Sequence, residues 1–448
     1  MKDLTKGNIY KTFLSFGIPL VLSGLLSQLY TIVDTAIAGK FIGENALAAI
    51  GATSPLISLV QSIFWGFGVG LSVYVARLYG AEDYSKLKKS VYSGALFIMA
   101  CCLTFSIILM LSSSLIIDLL KVEQSLRKDA LIYFLIITGG NAIILMTNYG
   151  LYIMTSVGIG SFPFIMSLLT TVINITLNIV TVTVFKWGVA GLAISTIIAA
   201  LVVVICYFIK FNKCLKELGV DKEKFSFDIK EVKNSFPYSI PNMLQQMIMY
   251  LSTCMISPLV NGIGLSASAS YTVINNVVNL NSTVFFNSNR TINNYTAQCI
   301  GHGRYDKIKK GVLPAFIQNV ALVTPLLILC VIFNEEVCNI FLKENATELT
   351  KQYSYDFTRN FLPFIYFFTI CNLFHGFFRG VKATAHLFIT TAFSSVVKYV
   401  ASLILIKSYG IYGFFMGWVI SWILESILCV ALYFIGLWNP LRKLKTNE

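Results

Sequence analysis

Residues 25–43 read LLSQLYTIVDTAIAGKFIG, and the reading of the whole chain turns on the acid near the middle, Asp34. The stretch lies in an apolar run of about thirty residues, enough to cross a bilayer with some tilt. A carboxylate at bilayer depth costs about 2.5–3.5 kcal/mol on insertion scales, so it faces a bundle interior or a watery cavity. Ser27, Tyr30, Thr31 and Asp34 recur at three- and four-residue spacing, which gives this helix one polar face. Such an acid either packs against a neighbouring helix through a hydrogen bond or serves as an ion or proton site. The polar face favours the second reading.

Composition extends the argument outward. Of 448 residues, 56% are hydrophobic and 12% charged, with mean hydropathy +0.74. Soluble domains carry about 25% charged residues. Apolar segments recur from end to end, as in an all-α polytopic membrane protein. The basic start, MKDLTKGNIYK, precedes an apolar run too long for a signal peptide, and we read it as an uncleaved first span. A net charge of +13 is assigned to basic loops beside anionic lipid rather than to nucleic acid. The ten cysteines are scattered without a CxxC pair, and His302, His375 and His386 belong to no ligand motif. Neither a disulfide framework nor a metal site is indicated, and no obligate protein partner is evident.

Twelve spans fit the chain: 10–38, 47–79, 90–117, 130–154, 162–184, 188–210, 236–260, 268–299, 312–333, 354–378, 384–406 and 410–436. One long polar stretch, rich in lysine, separates the sixth from the seventh. It divides the chain into a six-helix lobe at 1–211, a linker at 212–234, and a second six-helix lobe at 235–448 with a basic tail. If the N-terminus is inside, inner segments hold 23 Lys and Arg and outer loops hold 8. The expectation is a multi-pass protein of the cell membrane with linker and both termini cytoplasmic.

The halves repeat each other. ARLYGAEDYSKLKKSV (76–91) matches AQCIGHGRYDKIKKGV (297–312) at a constant offset of 221. Gly43 and Ala46 meet Gly264 and Ala267 at that offset, while Gly188 and Gly191 meet Gly410 and Gly413 at 222. Six helices return the chain to the side it entered, so the repeat is parallel, with its pseudo-twofold along the membrane normal.

These residues taken together resemble the multidrug and toxic compound extrusion (MATE) family over nearly the whole chain. The resemblance rests on YTIVDTAIAGKFIG (30–43), ALAAIGATSP (46–55), the two Tyr-plus-Lys loops, NITLN (174–178) and WGVAGLAIST (187–196). It implies two six-helix lobes around a central cavity, alternating access, and export of amphipathic, often cationic small molecules. Inward flow of sodium ions or protons supplies the drive, with no other cofactor. The chain departs from the family in having Asn174-x-x-x-Asn178 where the second position is usually Asp, and in the polar run NSNRTINN (287–294).

Asn174 and Asn178 share one helix face, extended by Thr170, Thr171 and Thr181. With Asp34 and Thr196 they offer at least four hard oxygens, which suits an alkali cation. By the family resemblance, Asp34, Asn174, Asn178 and Thr196 form the cation-coupling site. The alternative is that Asn and Thr only join helices. In the second lobe Arg290, Lys398 and Glu425 fall within spans, and Arg359 lies near the start of the tenth. Glu425 could neutralise Lys398 or Arg290 as a structural ion pair. Candidate residues of the substrate cavity are Tyr30, Gln245, Gln246, Asn275, Arg290, Lys398 and Glu425. A cationic substrate fits the Asp34 side, and an anionic or zwitterionic one could use Arg290 and Lys398.

An enzyme would need a catalytic constellation, and there is no HExxH, no paired intramembrane Asp and no clustered histidine. A channel would need a filter loop or a ring of acids, and neither is visible. The closer alternative is a flippase of the same superfamily for lipid-linked saccharides or peptidoglycan precursors, with Arg290, Lys398 and Arg359 meeting a pyrophosphate.

Overall fold

A backbone inside hydrocarbon must satisfy its own amides, and helices do so segment by segment. The computed structural model describes residues 1–119, 122–224, 226–342 and 346–439. Lys121, Lys343 and the basic tail with Arg442, Lys443 and Lys445 lie outside the described residues. The long helices are α1 (Ile9–Ile42), α2 (Glu44–Gly80), α3 (Tyr84–Leu111), α4 (Arg127–Ser156), α5 (Ser161–Val184) and α6 (Gly188–Glu217). They continue as α7 (Ile229–Asn261), α8 (Leu265–Gly301), α9 (Tyr305–Ile332), α10 (Glu348–Gly380), α11 (Thr384–Tyr409) and α12 (Ile411–Ile435). Each corresponds to one of the expected spans. Among the described residues, 11 helices are long and apolar enough to cross a membrane.

The helix outside that set is α8, which is 37 residues long and continuous. Its polar run is turned into the protein: Ser288, Asn289, Thr291, Asn293 and Asn294 are all buried. Asn319 of α9 donates to Asn289 Oδ1 at 2.7 Å, and Gln318 donates to the Thr291 hydroxyl at 3.3 Å. Low hydropathy here reflects polar side chains buried inside the protein rather than exposed to water.

The two halves use the same backbone turns. Gly43 and Gly264, which precede α2 and α8, have φ of 116° and 144°. Gly188 and Gly410, which open α6 and α12, have φ of 57° and 56°. All four lie in the left-handed region that a side chain disfavours.

The chain forms two compact units, and their borders differ from the lobes drawn at 211 and 235. The first unit comprises Met1–Asp3 and Leu22–Met243; the second comprises Leu4–Val21 and the chain from Leu244 onward. The first half of α1 therefore belongs with the second unit, and the linker with the start of α7 belongs with the first. The cause is packing. Leu4, Phe13, Phe16 and Leu20 are buried in a core with Ile292, Tyr295, Phe374 and Phe377, where Phe13 meets Tyr295 edge-on at 5.1 Å. In the first unit, a Cβ on Gly66 or Gly70 would come within 2.6 Å of Met243 Cα or 2.3 Å of Ser239 Cα, so bare glycine lets α2 touch the start of α7.

The matched basic loops hold these entering segments. After α2, the buried Lys88 ammonium donates to the carbonyls of Val220 (2.8 Å), Asp221 (3.1 Å) and Glu223 (2.6 Å) in the linker. Glu231, also buried, accepts from Tyr74 and Ser90 at 2.9 and 2.8 Å. After α8, Arg304 donates to the Thr5 hydroxyl at 2.6 Å, and Lys307 to its carbonyl at 3.2 Å. Gln298 accepts from the Leu4 amide at 2.9 Å.

Candidate functional site

The first unit contains a polar cavity of about 510 Å3, lined among others by Tyr30, Asp34, Gln61, Tyr133, Asn148 and Thr196. Spacing on α5 puts Asn174 and Asn178 on one face, and both are fully buried. Asn178 donates to the Asp34 carboxylate and, at 2.7 Å, to Asn174 Oδ1. Asn174 donates to Thr196 Oγ1 at 3.2 Å, and the Tyr30 hydroxyl lies 3.2 Å from the same oxygen. Thr196 also donates to the Leu192 carbonyl at 3.0 Å, which leaves its oxygen to accept from Asn174 and Tyr30. The four residues of the expected cation site therefore form one hydrogen-bonded chain across α1, α5 and α6.

Two local departures from α-helix frame this chain. α1 widens into a π-turn at Ala38–Ile42, four residues beyond Asp34, and α5 does the same at Val180–Val184, two residues beyond Asn178. The two turns touch. Around them Ile37, Ala38, Val182 and Leu192 close an apolar cluster, so one end of the polar chain is sealed. A π-turn inside a helix redirects side chains and is often found at functional sites.

One atom in the chain lacks a partner. Asn178 Oδ1 is buried and accepts no hydrogen bond. A buried carbonyl oxygen without a donor costs about 1–3 kcal/mol. The amide nitrogen of Asn178 faces Asp34 and Asn174, and a carboxylate with neighbouring amide and hydroxyl oxygens is a ligand set that suits a small hard cation.

The second unit holds a smaller cavity of about 170 Å3 between α7, α8, α10, α11 and α12. Asn275, Lys398 and Glu425 line it, as does His375, which the sequence reading left unassigned. His375 Nε2 lies 3.4 Å from Glu425 Oε1 and 3.0 Å from Thr390 Oγ1, and its Nδ1 lies 3.3 Å from Gln245 Nε2. Gln245 also donates to Thr391 at 3.1 Å and accepts from Arg379 at 2.7 Å. The expected pairing of Glu425 with Lys398 or Arg290 is absent among the described residues. Lys398 instead extends over the Trp418 ring, with Nζ 4.1 Å from its centroid. The signal that could have found His375 is position: it is an ionisable side chain inside a span, sharing a face with Asn372 and Arg379.

Of the remaining candidates, Tyr30 belongs to the first cavity and Gln245 lies buried behind the second. Gln246 and Arg290 are half-buried and line neither of these two cavities, and Arg359 is exposed.

Comparison with known proteins places this geometry. The MatE family model matches residues 19–180 and 237–404. The probable multidrug resistance protein YoeA of Bacillus subtilis is 24% identical over 352 residues, 77% of this chain and 76% of that protein. The multidrug export protein MepA of Staphylococcus aureus is 25% identical over 59% of each chain. An outward-facing structure of a multidrug resistance MATE family transporter of the MOP superfamily overlays with a TM-score of 0.88. It covers 99% of this chain and 98% of its own at 19% identity, a likeness of fold.

Proposed function

Because this chain belongs to the MATE family, we propose that it is a secondary transporter of the plasma membrane, with both termini cytoplasmic, that exports amphipathic small molecules by alternating access. Sodium ions or protons move inward in exchange. The observation that carries this reading is the hydrogen-bonded Asp34–Asn178–Asn174–Thr196 chain, whose Asp34 and Thr196 line a polar cavity. One carboxylate can hold a proton or balance one monovalent cation, but not both. That competition is the elementary requirement for exchange: a cation arriving from one side displaces what the carboxylate held. A cationic substrate has its counter-charge at Asp34 in the first cavity.

Relatives named for multidrug resistance and export support the substrate breadth. The flippase alternative needs Arg290, Lys398 and Arg359 to converge on a pyrophosphate. Of these, Lys398 alone lines the second cavity, which weighs against it.

The test is transport by purified protein in liposomes with sodium and proton gradients imposed separately. Movement of a soluble cationic dye against its gradient under either drive supports the reading. Movement of lipid-linked sugar alone, with no dye movement, would replace it with the flippase.

A further inference from the structure

The second cavity holds a basic side chain at membrane depth. Lys398 reaches it from α11, and among the described residues no carboxylate lies within ion-pair distance of its ammonium. The one acid lining the cavity, Glu425, lies 3.4 Å from His375 Nε2. Asn275 and Asn279, neutral donors, also line the cavity. Phe286, Phe368 and Trp422 supply an apolar wall. A cation kept within a span at this depth is costly, and an anionic guest offsets that cost in a way the π face of Trp418 does only in part.

We propose that the second-unit cavity binds the negatively charged end of an amphipathic carboxylate through Lys398, with the apolar body of the molecule against Phe286, Phe368 and Trp422. This rests on the transport reading only in taking the bound molecule as cargo. The two units then differ in the charge they accept: cations at Asp34, anions at Lys398. Asn275 and Asn279 side chains can donate to the carboxylate oxygen that the ammonium does not reach, so recognition is a charge-assisted hydrogen bond plus neutral ones.

The experiment uses two probes with one body and opposite charge, 3-phenylpropanoate and phenethylamine, titrated calorimetrically into the purified full-length protein. Wild type is expected to bind the carboxylate saturably and more tightly than the amine. Lys398→Met should shift the preference at least tenfold towards the amine, and Lys398→Arg should keep the carboxylate preference. A wild-type preference for the amine, or no saturable carboxylate binding, overturns the proposal without recourse to any variant. So does an unchanged preference in folded Lys398→Met protein. Dye export measured on the same preparation reads the transport function separately. Protein that exports dye and ignores 3-phenylpropanoate sinks this inference and leaves the transport reading in place.

Discussion

Asn178 donates to both Asp34 and Asn174, so a single amide ties the carboxylate of α1 to the polar stripe of α5 while its own oxygen stays unpaired. Asp34→Asn keeps the volume and one acceptor oxygen but removes the charge. It is expected to abolish gradient-driven transport with little loss of folding, as read by flux in liposomes and by size-exclusion profile. Normal flux under both gradients would make Asp34 a packing residue and send the search for coupling to Glu425. Asn178→Asp adds a second titrating group beside the first and should change the pH profile of transport without stopping it.

His375 holds together Glu425, Gln245 and Thr390 from three other helical positions. His375→Ala leaves at least one of these buried groups short of a partner, at a cost of about 1–3 kcal/mol. A lower thermal midpoint in detergent is the expected result. An unchanged midpoint would mean that water fills the gap at no cost.

Close contact between α2 and the start of α7 depends on Gly66 and Gly70 having no side chain. Overpacking of this kind costs about 1–3 kcal/mol. Gly70→Val should destabilise the protein more than Gly51→Val, whose Cβ has open space. Thermal unfolding of the two variants side by side decides it.

Lys88 binds three linker carbonyls, and its loss removes charged hydrogen bonds each worth about 1.5–3 kcal/mol. Lys88→Met is expected to free the segment around Lys222 and Lys224. Limited trypsin digestion should cut there roughly ten times faster than in wild type. Equal rates would show that the linker is held by other means.

Orientation is open to direct measurement. The charge bias predicts that a cysteine placed at Asn212 in a cysteine-free background resists an impermeant thiol reagent added outside intact cells. Labelling from outside reverses the topology.

Much of this was legible before any coordinates. The spacing of Asn174 and Asn178 put them on one face, and the structure joins that face to Asp34 and Thr196. The pairing of His375 with Glu425 was not legible, because the two meet across α10 and α12 and no local motif records it. Nor was the assignment of the first half of α1 to the second unit. Apolar pattern says which residues leave lipid or water, but not which helix receives them. Phe13 and Phe16 read alike whether they pack on their own half or on the other.

The polar middle of α8 bears on how the protein is made. Asn289 Oδ1 accepts from Asn319, and the Thr291 hydroxyl from Gln318, both on α9, which leaves the ribosome later. Insertion machinery that sorts segments by apolarity meets α8 before those partners exist, when its asparagines would face lipid with nothing to bond. Biogenesis must therefore retain α8 in a sheltered place until α9 arrives, and the two enter the bilayer as a pair. Substitutions of Gln318 or Asn319 would then appear first as a fault of assembly in the cell, before any fault in the finished transporter.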